Sequence, residues 1–252
     1  MTLLVAAGLR KSFGGVAAVD GVSFALAAGE VLALIGPNGA GKSTCFNLIG
    51  GQLRPDAGEV RLDGRPVTGA GARRMARLGV GRTFQVTATF GSMTVRENVQ
   101  MALLSHRGEA RGLWRPVADR HAEEAMALLA AVGLEEQAGR AAGVLAYGDL
   151  KRLELAVALG GSPRLLLMDE PTAGMAPGER TALMRLTRGL ALEREVAVLF
   201  TEHDMDVVFG VADRIMVLDH GRLIAEGDGP AIRADARVRE VYLGTDATGG
   251  GG

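Results

Sequence analysis

Apolar positions along the chain keep two different rhythms. Segments bounded by turn residues predict strands at Val16 to Phe24, at Glu30 to Ile35, a short apolar run between Gly29 and Gly36, and at Glu59 to Asp63 before Gly64. After Phe84 the period lengthens. Thr94-Val95-Arg96-Glu97 is a capping-box pattern that opens a helix towards Leu104. Residues 105–118, with Gly108, Gly112, Trp114 and Pro116, read as a loop, and Asp119 precedes a helix with Ala125, Met126, Leu128, Leu129 and Val132 on its apolar face. A further helix follows Gly148, with Leu153, Ala156, Val157 and Leu159 inward. Strand rhythm returns at Leu165 to Met168, Val196 to Phe200 and Ile215 to Leu218, with a helix carrying Leu183, Leu186 and Leu190 between the first two. Asp219-His220-Gly221 predicts a hairpin turn into Leu223-Ile224-Ala225.

One terminal helix is expected over 229–243, with Thr245 to Gly252 as a disordered tail. The outline is one α/β domain over 1–244 with a mostly parallel sheet. Its core spans 1–85 and 161–228, a helical subdomain is inserted at 86–160, and a C-terminal helix occupies 229–244.

Composition narrows the function classes. At 252 residues, 48% hydrophobic and 23% charged, the chain can bury about three quarters of its unfolded surface, which excludes wholesale disorder. Lys plus Arg total 28 against 29 Asp plus Glu, so no basic excess points to nucleic acid or an anionic membrane as the main partner. Cys45 is the only cysteine, which excludes an intramolecular disulfide and a four-thiolate metal site. No uncharged apolar run approaches the ~18 residues of a membrane span. Leu3-Leu4-Val5-Ala6-Ala7 is too short for a secretory leader and lacks a positive region before it, so an intracellular, soluble chain is expected. Only three lysines occur, Lys11, Lys42 and Lys151, in a chain whose Arg, Gly and Ala content suggests coding bias. Under that bias, a retained lysine in a special setting is worth a closer look.

Gly36-Pro37-Asn38-Gly39-Ala40-Gly41-Lys42-Ser43, followed by Thr44, fits the phosphate-binding loop G-x-x-x-x-G-K-[ST] and lies between a predicted strand and a helix. Glycines let backbone N–H groups close around phosphates, and the helix presents its positive end. Lys42 is expected to reach the β- and γ-phosphates, and the Ser43 hydroxyl to ligate Mg²⁺. Leu165 to Met168 then delivers Asp169 and Glu170 to the C-terminal edge of a strand, the usual ligand crevice of an open α/β sheet. Asp169 suits the Mg²⁺ shell, and Glu170 suits the base that takes a proton from attacking water. Gln85, at the entry to the insertion, reaches towards Mg²⁺ and that water. His203, just past the Val196–Phe200 strand, suits a hydrogen bond to the γ-phosphate. His106, His121 and His220 are expected to be solvated.

This spacing of phosphate loop, Gln85, Asp169-Glu170 and His203 around a helical insertion resembles the ATPase subunits of ATP-binding cassette (ABC) transporters over about residues 3–244. The family's L-S-G-G-Q signature aligns with Leu145-Ala146-Tyr147-Gly148-Asp149, and Phe13 aligns with the aromatic residue on which adenine stacks. The resemblance implies a P-loop NTPase core with an N-terminal antiparallel β region. It also implies ATP and Mg²⁺ as ligands, and a head-to-tail pair of ATPases with each ATP between one phosphate loop and the partner's signature. The second ATPase is a paralogue or another copy. Membrane permease subunits and a separate substrate-binding protein complete the assembly, with this subunit peripheral on the cytoplasmic side of the inner membrane.

Gly81-Arg82-Thr83-Phe84-Gln85, Tyr147-Gly148, Ala173-Gly174-Met175-Ala176-Pro177 and Arg237-Val238-Arg239-Glu240-Val241-Tyr242-Leu243-Gly244 resemble the branched-chain amino acid importers. Alternatives are a urea or short-amide importer, a lipid-directed exporter, and a soluble cassette ATPase outside transport. Three positions depart from the family: Ala146 replaces the signature serine, Asp149 its glutamine, and Ala176 an acidic or amide residue. All three face the partner's nucleotide, so an asymmetric pair is expected, with this chain's signature serving the weaker site.

Overall fold

A computed structural model describes residues 1–83, 89–109 and 120–246. Two sheets organise it. The first is antiparallel, in the order β2-β1-β4-β5, from β1 (Thr2–Phe13), β2 (Val16–Ala27), β4 (Ala57–Leu62) and the two-residue β5 (Arg65–Pro66). The second has six strands in the order β10-β9-β3-β8-β7-β6, from β3 (Val31–Ile35), β6 (Val80–Thr83), β7 (Leu165–Asp169), β8 (Ala197–Thr201), β9 (Arg214–Asp219) and β10 (Arg222–Gly227). All its neighbours pair in parallel except β9 and β10.

Strands β3, β7 and β8 are buried at every residue, because both faces of this sheet are covered. Successive side chains separate into two cores. Val31, Ala33, Ile35, Val198 and Phe200 join the helical insertion on one face. Leu32, Leu34, Leu199, Met216 and Leu218 pack with the antiparallel sheet and α1 (Lys42–Ile49) on the other. Helix α2 (Ala72–Arg77) leads into β6.

The insertion carries α3 (Val95–His106), α4 (Ala122–Ala131) and α5 (Tyr147–Gly160), which pack on one another. The capping box at the start of α3 is formed in full: the Thr94 hydroxyl accepts from the Glu97 N–H, and the Thr94 N–H donates to the Glu97 carboxylate at 2.7 Å. After β7 come α6 (Pro177–Glu193) and, past β8, α7 (Met205–Val211), then α8 (Gly229–Ala234) and α9 (Ala236–Asp246).

Several expectations need correction. The apolar rhythm does not predict strand β1, which only the resemblance implies through its N-terminal antiparallel β region, because a leading apolar run is not distinguishable by period until its sheet partners exist. The single helix expected over 229–243 is two helices. Asp228 caps α8 by accepting from the Ala231 N–H, while Asp235 takes an extended backbone (φ −68°, ψ 122°) and breaks the run. Helix α9 continues to Asp246, two residues into the stretch expected to be tail. Ser105 and His106 belong to α3 rather than to the loop. Asp119 lies outside the described residues, and the residue at the α4 N-cap is His121. The hairpin turn stands as expected, with His220 (φ 44°) and Gly221 (φ 78°) both left-handed between the paired Asp219 and Arg222.

Candidate active site

Strand β3 ends at the point where the sheet order turns back, with β8 on one side and β9 on the other, and the glycine-rich loop leaves from that end. Two glycines are required sterically. A side chain at Gly36 (φ 150°) would collide with the Leu218 carbonyl, and one at Gly41 (φ 100°) with the Ala18 carbonyl. Gly41 caps α1 without any side-chain hydrogen bond, so the first N–H groups of that helix face the cleft as anion donors. Asn38 to Thr44, Ala18 and Glu170 line one cleft of about 210 Å³. Lys42 is buried and spans the loop, its Nζ donating to the Gly36 and Pro37 carbonyls at 2.7 and 3.1 Å. Burial pushes its ammonium below the ordinary lysine range, against the opposing pull of the Glu170 and Asp169 carboxylates.

Across the cleft, the ends of β7 and β8 are joined by successive side-chain bridges. Thr201 Oγ1 donates to Asp169 Oδ1 at 2.8 Å. His203 Nε2 lies 2.9 Å from Glu170 Oε1. Glu202 Oε1 accepts from both the Thr172 N–H and the Thr172 hydroxyl, at 2.9 and 2.6 Å. Glu170 holds a left-handed backbone, φ 49°, and its N–H is tied to Thr201 Oγ1 at 3.0 Å. That turn throws the Glu170 side chain into the cleft while Asp169 stays against the sheet. Arg82, from β6, stands 3.6 Å from Asp169 Oδ2 and donates to Asn47 Oδ1 of α1 at 2.9 Å. Serine and carboxylate oxygens from Ser43 and Asp169 are the donor type a hard divalent cation takes, so these two fit a Mg²⁺ shell.

The signature segment lies away from this cleft, at the start of α5. Ala146 is the N-cap, with extended backbone and no side-chain cap. Ala176 holds the same position at α6, also uncapped. Two of the three departures from the family are therefore missing helix caps. The third, Asp149, accepts from Gln137 Nε2 at 2.7 Å. Tyr147 donates its hydroxyl to the Ala173 carbonyl at 2.9 Å, tying the α5 start to the turn after Glu170.

Phe13 is 48% exposed at the β1–β2 hairpin and is not part of the cleft lining. Gln85 lies outside the described residues. His106 and His220 are exposed, whereas His121 is not solvated as expected: its Nδ1 lies 2.8 Å from Arg107 and its Nε2 3.2 Å from Glu109. Arg82 entered the sequence reading only within the Gly81–Gln85 segment and without a role, and Thr172, Thr201 and Glu202 were given none, since nothing local distinguishes them from surface or core polar residues. Burial of Tyr242, in α9, raises its phenol to about 12, offset in part by a hydrogen bond with the Gly36 backbone. A larger hollow of about 560 Å³ between α7 and α8 holds none of the candidate residues, and its Arg233 is stacked 4.0 Å over Phe209.

Known proteins resemble this chain in sequence and in fold. A family model described as ABC transporter matches residues 19–173, and one described as branched-chain amino acid ATP-binding cassette transporter matches residues 222–248. The chain is 41% identical over 249 residues to the high-affinity branched-chain amino acid transport ATP-binding protein BraF of Pseudomonas aeruginosa, covering 96% of this chain and 98% of that protein. It is 39% identical over 251 residues to LivG of Escherichia coli K12, described in the same words, with the same coverage. The crystal structure of the ADP conformation of MJ1267, an ATP-binding cassette of an ABC transporter, superposes with a TM-score of 0.87 at 33% identity, over 97% of this chain and 99% of that one. The dimeric post-hydrolysis structure of the cassette MJ0796 bound to ADP and Pi gives 0.74 at 26% identity, over 90% and 98%.

Proposed function

This chain belongs to the ABC transporter ATPases, in the family of branched-chain amino acid transport ATP-binding proteins, and from that membership we propose how its residues divide the work. It is the ATP-binding and ATP-hydrolysing subunit of an amino acid importer. The observation that carries the mechanism is the convergence of Lys42 and Glu170 on one cleft, with His203 2.9 Å from the Glu170 carboxylate.

Backbone N–H groups of 38–44 and the α1 N-terminus hold the phosphates, and the Lys42 ammonium neutralises the outer two. Ser43 and Asp169 would hold Mg²⁺, with Arg82 and Thr201 fixing the Asp169 carboxylate. When bound, the ion would supply positive charge against the phosphates. Glu170 accepts the proton of the attacking water, and His203 orients that carboxylate and donates towards the γ-phosphate. Adenine stacks on Phe13, and Gln85 completes the metal side. A second cassette closes its own signature over this ATP, while Ala146 to Asp149 of this chain cover the other subunit's.

The branched-chain amino acids are the proposed cargo. Permease subunits carry the spans, since no helix among the described residues is long and apolar enough to cross a membrane. A substrate-binding protein delivers cargo from outside, and the ATPase sits peripherally on the cytoplasmic face.

Leucine uptake in cells lacking this chain tests the reading. Wild type should restore it and Glu170→Gln should not, with excess isoleucine competing and urea not. Competition by urea instead of isoleucine would move the cargo to urea and amides. Restoration by Glu170→Gln would sink the hydrolytic role.

A further inference from the structure

Two hydrogen-bonded links connect the catalytic pair of this chain to its own signature segment. Glu202 is buried, and both its carboxylate oxygens are used. One accepts from the Thr172 N–H and hydroxyl, the other from the N–H of His203 at 3.2 Å. It thereby fastens the His203 loop to the turn that follows Glu170. That turn is itself tight, with the Ala173 N–H on the Glu170 carbonyl at 3.1 Å and the Met175 N–H on the Thr172 carbonyl at 3.0 Å. Its Ala173 carbonyl takes the Tyr147 hydroxyl at 2.9 Å. The Tyr147 ring lies against Gly174, whose left-handed φ of 80° favours glycine, with its edge 3.5 Å from where a Cβ would stand. Lys151 Nζ sits 5.5 Å from the centre of the same ring.

We propose that Glu202 and Tyr147 are positioning residues that link the Glu170–His203 pair to the Ala146–Asp149 segment, so that hydrolysis at this chain's nucleotide and the signature it offers to the second cassette move as one unit. This inference rests on the hydrolytic reading above. The physical reason is that the links stand in series through one rigid turn. Displacement of His203 pulls Thr172 through Glu202, and displacement of the turn pulls α5 through Tyr147. Coupling needs both, so breaking either disconnects the two sites.

The test is a double-mutant cycle in steady-state ATPase of the full chain, with Tyr147→Phe, Glu202→Gln and the pair. Tyr147→Phe removes only the hydroxyl and keeps the ring on Gly174. Glu202→Gln offers one acceptor oxygen where the carboxylate uses two, so one side of the bridge is lost whichever way the amide turns. Each single change should lower kcat about fivefold to thirtyfold while the dissociation constant of a fluorescent ATP analogue stays within about twofold. The double variant should fall no further than the more severe single. Should Glu202→Gln fail to fold, Thr172→Val takes its place, with Thr172→Ser restoring turnover because it keeps the hydroxyl. Losses that multiply, or a Tyr147→Phe variant with wild-type kcat, would overturn the coupling and leave the hydrolytic reading standing. A wild-type chain without Lys42-dependent turnover would refute that reading and this one together.

Discussion

Glu170 sits in a backbone conformation that few non-glycine residues adopt, φ 49°. Such positions cost about 1–3 kcal/mol and persist where surrounding bonds over-determine them. Here the Thr201 bonds to the Glu170 N–H and the His203 contact do so. Because Gln keeps the size and the His203 partner but loses basicity, Glu170→Gln should lower turnover by about 10²-fold or more with ATP affinity retained, read by single-turnover hydrolysis and equilibrium binding. Ala146 offers the opposite case, a place where a side chain is missing. Alanine is among the poorest N-caps, so Ala146→Ser should stabilise α5 by about 0.5–2 kcal/mol in thermal or urea unfolding. The same hydroxyl faces the partner's γ-phosphate in the proposed pair, so ATPase of the assembled transporter should rise with it. A melt that rises without any change in rate would end the argument for an asymmetric pair. The three lysines differ in setting: Lys42 crosses the phosphate loop, Lys151 is buried against Glu154 at 3.0 Å, and Lys11 makes an exposed pair with Asp56 at 2.7 Å.

Some helix boundaries were legible in the sequence and others were not, although side chains cap both kinds. The capping box at Thr94 and Glu97 was readable because its two reciprocal bonds need nothing beyond four consecutive residues. The break between α8 and α9 was not, because Asp235 leaves the helical region while apolar positions on both sides still point inward, with Ile232 and Val238 both buried. The capping box also predicts a pH dependence. Glu97 is held below the usual carboxylate range, first by the Thr94 N–H and then by the Thr94 hydroxyl. A depressed carboxyl contributes stability above its unfolded value, and that contribution is lost as pH falls through the folded value. Glu97→Gln should therefore melt below wild type at pH 7, and the gap should shrink below about pH 4. A gap that stays constant with pH would mean that the Glu97 charge contributes nothing.

On the scale of the whole molecule, the six-stranded sheet separates two apolar cores and carries every catalytic candidate at one edge. Cys45 lies in the core on the α1 side, fully buried, and burial raises its thiol to about 12. A thiol held protonated and out of solvent does not react as a thiolate. The single cysteine should therefore resist alkylation in the native chain and label only as the α1 core opens. Its labelling rate should rise with denaturant in step with unfolding and fall when ATP is added, since ligand binding stabilises the native state. Rapid labelling under native conditions would show that α1 opens independently of the rest.

The phosphate-loop pattern, the Asp169-Glu170 pair at the end of β7, His203 and the strand–insertion–strand order can all be read from neighbouring residues, and their joint spacing, more than any one of them, points to nucleotide chemistry. Strand β1, by contrast, becomes a strand through its pairing, because its apolar run acquires a strand's hydrogen bonds from β2 across a hairpin and from β4, distant in the chain. Only the tertiary structure decided which polar residues serve the site. Arg82 reaches Asp169 from β6, Glu202 reaches Thr172 from the end of β8, and Tyr147 reaches Ala173 from the insertion. Each pair is separated by tens of residues, and no local pattern encodes a distance that exists only after the sheet has set its strand order.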